Sequence, residues 1–234
     1  MTLTADIQKI PRTYMPAGFE LTNWETLEPF FKELVDRPLG SLQDLEQWLK
    51  DMSEVEAVIS EDACWRQIKM TCDTTNPALE EAFNYFCLEI QPKMQPFADQ
   101  LNKKFIDCPY TAELDKDTYY TYIRSVKKNI ELFREANIPL QAELSVMQQQ
   151  YGTIAGKMTV EVEGKEYTLQ QAAKFLEHED RAVRESVYKK IQDRRLIDKD
   201  AMHDLYSSLI QKRHQVAVNA GFANYRDYKF AELG

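Results

Sequence analysis

Apolar residues recur at spacings of three and four over most of the chain, and this period constrains the fold more than any other feature. That spacing places side chains on one face of an α-helix, whereas a half-buried strand would need alternation. Only 7 glycines occur among 234 residues, about half the share expected from the usual ~7%. Such scarcity argues against folds of many tight hairpins and against sites built on glycine-rich phosphate loops. The sequence therefore predicts an all-α fold, predominantly of long antiparallel helices.

The first forty residues are less regular than the rest. Prolines and glycines interrupt the pattern there, at Pro11, Pro16, Gly18, Pro29, Pro38 and Gly40. Residues 1–40 are therefore predicted to form an irregular N-terminal arm, with a short helix near Trp24–Val35. Four apolar anchors accompany that helix, namely Trp24, Phe30, Phe31 and Leu34.

Strong helical signals begin at Ser41, which is predicted to cap the next helix with its side-chain oxygen. The apolar stripe of that helix is predicted to continue through Trp65, Ile68 and Cys72. Asn76–Pro77 predicts a further helix start, because proline is well tolerated at the first helical position. Pro92 and Pro96 then fall inside an unbroken stripe, so the helix either bends or breaks there, and the periodicity favours a bend.

The period changes from helical to alternating at only one place, between Met158 and Val162. Glu163–Gly164 follows as a turn, and Lys165–Thr168 returns, which predicts one short β-hairpin near 158–168. Thr168 and Asp180 are predicted to cap the helices that follow. The second of these helices carries a predicted apolar stripe formed by Val183, Val187, Ile191 and Leu196, and two further helices end the chain.

Charge and cysteine usage narrow the functional class. The net charge of −9 argues against general nucleic-acid binding. The whole net negative charge lies between Glu20 and Asp62. A solvated surface is the favoured interpretation of this stretch, and electrostatic steering of cationic ligands is the alternative. The sequence contains no run of about 18 apolar residues, so no membrane span is predicted. The four cysteines lack Cys-x-x-Cys spacing, so free thiols and a cytoplasmic location are expected.

Catalytic motifs do not emerge from the residues themselves. A zinc-protease helix needs His-Glu-x-x-His, but His178–Glu179 is followed by alanine at position 182, and His203 and His214 lack the second histidine. Structural roles are favoured for all three histidines. No catalytic residue and no metal ligand is assigned, so enzymatic activity of this chain is left open.

The C-terminal third carries a resemblance to a known family. Its text runs Met158–Ala172 (MTVEVEGKEYTLQQA), Asp180–Glu185 (DRAVRE), Arg213–His214, Asn219–Phe230 (NAGFANYRDYKF) and Leu233–Gly234. These segments resemble the oligoendopeptidase F family of thimet-oligopeptidase-like zinc metallopeptidases. With looser matches upstream, the resemblance extends from about Pro29 to Gly234.

This resemblance implies a helical enzyme with a deep channel for unfolded oligopeptides and one zinc on a His-Glu-x-x-His helix. In the family that helix lies C-terminal to the matched text, so the chain is expected to be truncated before it and to bind no zinc itself. Residues 41–200 would form the helical N-terminal lobe, and 201–234 the first helices of the zinc peptidase domain. The matched residues expected to line the channel are His214, Asn219, Tyr225 and Arg226.

Two functions of different class follow. The first is the N-terminal wall of the channel of a zinc metallo-oligopeptidase, with oligopeptides and the absent C-terminal catalytic part as partners. The alternative is a stand-alone helical module that binds peptides or a partner without catalysis. Neither function involves nucleic acid or a membrane. A module of the second kind should lack exposed apolar surface.

Overall fold

The computed structural model of the chain describes residues 11–234 and is dominated by α-helices. After an irregular stretch over 11–23, the elements are α1 (Trp24–Asp36), α2 (Leu42–Cys72), α3 (Pro77–Tyr85), α4 (Gln91–Asp107), α5 (Lys116–Leu132), α6 (Ile138–Gly156), β1 (Thr159–Val162), β2 (Lys165–Thr168), α7 (Leu169–Ala173), α8 (Arg181–Ile197), α9 (Lys199–Asn219) and α10 (Tyr225–Leu233). The predicted all-α fold with one hairpin is confirmed. Residues 1–10 of the predicted arm lie outside the described residues. No helix within 11–234 combines the length and the hydropathy needed to cross a membrane.

Side-chain caps explain why the helices begin where the sequence predicts. The Ser41 hydroxyl accepts a hydrogen bond from the Asp44 amide at 3.1 Å, and the Asn76 side chain accepts one from the Ala78 amide at 3.1 Å. Thr168 forms a reciprocal capping box with Gln171. The side chains of Asp180 and Asn224 likewise accept hydrogen bonds from amides in the first turns of α8 and α10. Each cap satisfies an amide that the helix leaves unpaired.

The two prolines near position 94 do not interrupt the helical run. A π-helical segment, Phe86–Ile90, joins α3 to α4, and the Gln91 amide donates to the carbonyl of Phe86, five residues back. Proline has no amide to donate to the carbonyl four residues earlier, and its ring clashes with that carbonyl. The wider π turn before Pro92 relieves this conflict without ending the helix.

The hairpin is tight and antiparallel. Thr159 pairs with Thr168 and Val162 with Lys165, which leaves Glu163 and Gly164 as the turn. Both have positive φ, 52° and 73°, as a type I′ turn requires. The glycine is needed at its position because a φ of +73° is unfavourable for other residues.

The chain divides into two compact units. The first unit joins the described residues up to Trp65 with Lys93–Glu131, and the second joins Arg66–Pro92 with Leu132–Gly234. In the first unit, the Trp48 indole is fully buried and donates to the Leu34 carbonyl at 2.8 Å. The Lys104 ammonium donates to the carbonyls of Leu34, Val35 and Arg37 at 2.8, 2.7 and 2.5 Å. It thereby caps the C-terminal end of α1, where the helix dipole favours a cation.

The carboxylate of Glu54 holds the segment that precedes α1. It accepts hydrogen bonds from the backbone amides of Thr13, Tyr14 and Met15 at 2.8, 3.0 and 2.7 Å. Desolvation by itself raises the pKa of Glu54, but the bonds from these amides outweigh it, and the net pKa lies below the ordinary value. The ionised carboxylate is therefore the form that fixes residues 13–15 on α2.

Acidification is expected to release this segment. Because the pKa of Glu54 is lower in the folded state, the ionised carboxylate stabilises the fold above the unfolded-state pKa of ~4.3. This stabilisation is lost as the pH falls through the folded-state pKa. The protection factors of the Thr13–Met15 amides, relative to an unstructured chain at the same pH, should therefore fall as the pH drops through the lowered pKa of Glu54. Glu54→Gln should show fast exchange at neutral pH, whereas Glu46→Gln, a control on α2, should not. Slow exchange in Glu54→Gln would contradict this assignment.

The second unit contains two apolar clusters. One packs the end of α5 together with residues of α6, α9 and α10, namely Leu132, Leu144, Leu209, Val216, Ala217, Ala220 and Tyr228. The other packs the hairpin and α7 against α8, namely Met158, Val160, Val162, Leu169, Ala172, Val187 and Ile191. The one-sided burial of β1 against α8 explains why its residues alternate.

Two predicted stripes are not buried over their whole length. In α2, the helix reaches Cys72 as predicted, but Trp65 and Ile68 are 53% and 46% exposed and Cys72 is also exposed. Met70, 2% exposed, is buried there instead. In α8, Leu196 is 64% exposed, because five residues separate it from Ile191 and rotate it away from the stripe.

Candidate functional site

The four residues expected to line a channel lie on either side of the turn between α9 and α10. His214 and Asn219 belong to α9, and Tyr225 and Arg226 are the first two residues of α10. Gly221, with φ of +89°, ends α9, and Asn224 then starts α10. The Phe222 and Tyr228 rings meet edge to face at 5.7 Å between centroids, and Tyr225 stacks on Tyr228 at 5.8 Å. Desolvation raises the pKa of the Tyr228 phenol to about 12. Aromatic packing thus stabilises the turn between α9 and α10.

His214 and Arg226 are exposed, whereas Asn219 and Tyr225 are half-buried. Arg226 donates from Nε to the Asp227 carboxylate at 2.9 Å. The Arg213 guanidinium lies 5.8 Å from the centre of the Tyr225 ring. Within residues 11–234, no hydrogen bond, ion pair or ring contact joins any two of the four candidates. Their role as channel-lining residues stays a prediction.

Asn219 belongs to a chain of side-chain amides. It accepts from Gln215 Nε2 at 2.7 Å and donates to Asn137 Oδ1 at 2.8 Å. Asn137, 2% exposed, in turn donates from Nδ2 to the Val216 carbonyl at 3.0 Å. These hydrogen-bonded amides connect the start of α6 to the end of α9. Sequence reasoning missed Asn137, because its partners lie about 80 residues away.

Asn137→Ala is expected to destabilise the second unit by about 1–3 kcal/mol, since a buried amide with two partners is removed. Asn219→Ala leaves Oδ1 of the buried Asn137 without its donor, but it should cost less, because the bond from Asn137 to the Val216 carbonyl is kept. Urea unfolding followed by far-ultraviolet circular dichroism measures both. Equal losses for the two variants would show that the bond to the Val216 carbonyl does not contribute.

Metal-ligating side chains do not converge in the described structure. Among residues 11–234, no group of three or more His, Cys, Asp or Glu side chains could hold a metal ion. Cys64 and Cys72 are exposed, and Cys87 and Cys108 are buried. Burial raises the pKa of the Cys87 thiol to about 11, which keeps it protonated at neutral pH. These residues do not fit a zinc site.

An apolar groove in the second unit was not predicted. It has a volume of about 750 Å³, within the range of small-molecule sites. Eleven residues line it: Tyr151, Ala155, Met158, Leu169, Gln170, Ala173, Gln192, Arg195, Leu196, Lys199 and Met202. The sequence contained one signal of this groove. Leu196 lies outside the helical spacing of the other apolar residues of α8, and an apolar residue outside the stripe indicates a second apolar surface.

Comparison with known sequences identifies one family model. The model described as the peptidase M3 N-terminal domain matches residues 16–133, which is half of the chain. None of the curated proteins compared with this sequence matches it.

Solved structures share the fold over nearly the whole chain. Two chains provisionally named oligoendopeptidase F, one of them from Bacillus anthracis str. Ames, superpose with a TM-score of 0.85 at 21% and 16% identity. PZ peptidase A, solved with an inhibitor, superposes with a TM-score of 0.84 at 17% identity. Each superposition covers 92% of this chain but only 38–40% of the other. The chain thus spans about two-fifths of the length of these structures.

Proposed function

The chain belongs to the peptidase M3 N-terminal domain family, and from that premise we propose that it forms the N-terminal wall of a peptide channel in a metallo-oligopeptidase. One observation carries the proposal. The family model matches residues 16–133, and the shared fold covers 92% of this chain but only 38–40% of each matched structure. The part supplied here would be a structural lobe, with residues 41–200 as the lobe and 201–234 as the first helices of the peptidase domain.

Zinc would be bound by residues outside these 234. The sequence contains no His-Glu-x-x-His, and the donor groups of residues 11–234 do not fit a metal site. In this family, bound zinc would polarise the scissile carbonyl and activate water. We assign none of those steps to a residue of this chain. Its own contribution would be to admit and position oligopeptides, with His214, Asn219, Tyr225 and Arg226 lining the channel.

An exposed stripe on α9 supports a partner that covers it. Tyr206, Ile210 and Val218 are 61%, 50% and 46% exposed, and with His214 they recur every four residues, so they share one helix face. Large exposed apolar faces are costly for an isolated protein. We propose that the C-terminal catalytic part of the peptidase packs here, since the matched structures contain more than twice the length of this chain.

Unpaired thiols on exposed Cys64 and Cys72 favour a reducing, cytoplasmic setting.

Native purification tests the proposal. Antibodies against this segment, applied to the source organism under native conditions, should isolate material in which mass spectrometry finds a His-Glu-x-x-His peptide. That peptide would belong either to the same polypeptide or to one bound in equal amount. Isolation of the 234-residue chain with no such peptide would overturn the proposal and favour a stand-alone binding module.

A further inference from the structure

The groove in the second unit lies among four elements that one stretch of chain brings together. Tyr151 and Ala155 come from the end of α6, Leu169 from α7, Leu196 from the end of α8, and Met202 from the start of α9. Because all of these elements belong to the second unit, the groove is a property of that unit alone.

Its surface is apolar but incompletely covered. Met158 and Leu169 form a buried floor, with 5% and 9% of their surfaces exposed. Tyr151 and Leu196, at 60% and 64% exposure, stand at the sides with most of their apolar surface in water. Removing such surface from water is favourable, so the groove fits the apolar side chain of a ligand.

The charge of the lining has one sign. Arg195 and Lys199 are the charged residues of the lining, and no acidic side chain belongs to it, although the whole chain carries a net charge of −9. Neither cation makes an ion pair or side-chain hydrogen bond with any residue in 11–234. Asp198, next to Lys199, is held by Arg194 at 2.5 Å. Two unpaired cations beside an apolar floor are complementary to an anion that carries an apolar group.

We propose that this groove binds the C-terminal end of an oligopeptide, with its carboxylate on Arg195 and Lys199 and its last apolar side chain on Met158 and Leu169. Gln170 and Gln192, which also line the groove, supply amide donors and acceptors for the peptide main chain. A fatty acid has no such main-chain groups. The assignment of a peptide rests on the proposed function, whereas the preference for an apolar carboxylate rests on the groove itself.

Binding of two matched peptides to the 234-residue chain tests the ligand class. Fluorescence anisotropy would compare a labelled pentapeptide ending in leucine with a free carboxylate against its C-terminal amide. We expect saturable binding of the acid and at least about tenfold weaker binding of the amide, because amidation removes charge-assisted hydrogen bonds. Equal affinities, or no binding of the acid, would overturn the proposal, as would tighter binding of decanoate than of the peptide.

Matched variants locate the site. Leu196→Ser should weaken binding of the acid severalfold, whereas Ile197→Ser should not, because Ile197 is 75% exposed but does not line the groove. The double variant Arg195→Gln/Lys199→Gln should abolish the preference for the acid over the amide. Lys189→Gln/Lys190→Gln, which also removes two positive charges from the chain, should retain that preference. Equal effects of groove and control variants would overturn the proposal.

The two proposals fail separately. Selective binding of the acid by the isolated chain, together with the absence of a His-Glu-x-x-His peptide in native material, would overturn the proposed function and leave the groove assignment standing. A His-Glu-x-x-His peptide in native material, together with no preference of the isolated chain for the acid, would overturn only the groove assignment.

Discussion

Trp48→Ala is expected to destabilise the first unit by about 3–5 kcal/mol, enough to unfold a marginally stable domain. The Trp48 side chain is fully buried, so its removal loses a large apolar area and leaves a cavity. Its hydrogen bond to the Leu34 carbonyl at 2.8 Å is lost as well, along with its contact to the Lys104 ammonium, which lies 5.8 Å from the ring centre.

Trp65→Ala is the matched control, since Trp65 is 53% exposed on the same helix. Its loss should stay within about 1 kcal/mol. Urea unfolding followed by circular dichroism measures both variants without dependence on tryptophan fluorescence. A loss for Trp48→Ala no larger than that for Trp65→Ala would contradict the described core.

Arg37→Met is expected to cost about 3–5 kcal/mol, because it leaves a buried charge without its partner. The guanidinium of Arg37 contacts the Asp51 carboxylate at 2.5 Å and the Glu33 carboxylate at 2.8 Å. Asp51 is 6% exposed, and its remaining bond comes from the Gln47 amide at 2.7 Å. The Glu33 bonds are more exposed and contribute less.

Two variants separate this effect from a loss of packing. Lys32→Met breaks an exposed pair with Glu28 at 3.0 Å and should cost no more than about 1 kcal/mol. Arg37→Met/Asp51→Leu should recover much of the stability lost in Arg37→Met, because no buried charge is then left unpaired. Tryptophan fluorescence reports on the first unit selectively here, since Trp24, Trp48 and Trp65 all lie in it. A double variant as unstable as Arg37→Met would contradict the electrostatic explanation.

Local chemistry made helix boundaries predictable. The caps at Ser41, Thr168 and Asp180 act on amides two or three residues away, so the sequence contains both partners. The turn at Glu163–Gly164 is equally local. The continuous helix at Pro92 was favoured by its stripe, whereas the π turn that accommodates the proline depends on how neighbouring carbonyls adjust.

Burial and the candidate site depended on tertiary structure. Trp65 and Ile68 share the period of α2 but are 53% and 46% exposed, so periodicity alone overstated their burial. The groove is built from residues spread between Tyr151 and Met202, and only the packing of four elements brings Arg195 and Lys199 beside Met158. The amide chain from Asn137 to Asn219 likewise joins residues distant in sequence.

Zinc analysis of the purified 234-residue protein, together with cleavage of an internally quenched oligopeptide, tests most directly the proposal that this chain is the N-terminal lobe of a metallo-oligopeptidase and that the zinc is bound outside it. We expect substoichiometric zinc and no cleavage that a chelator abolishes. One equivalent of zinc with chelator-sensitive cleavage by this chain alone would contradict it.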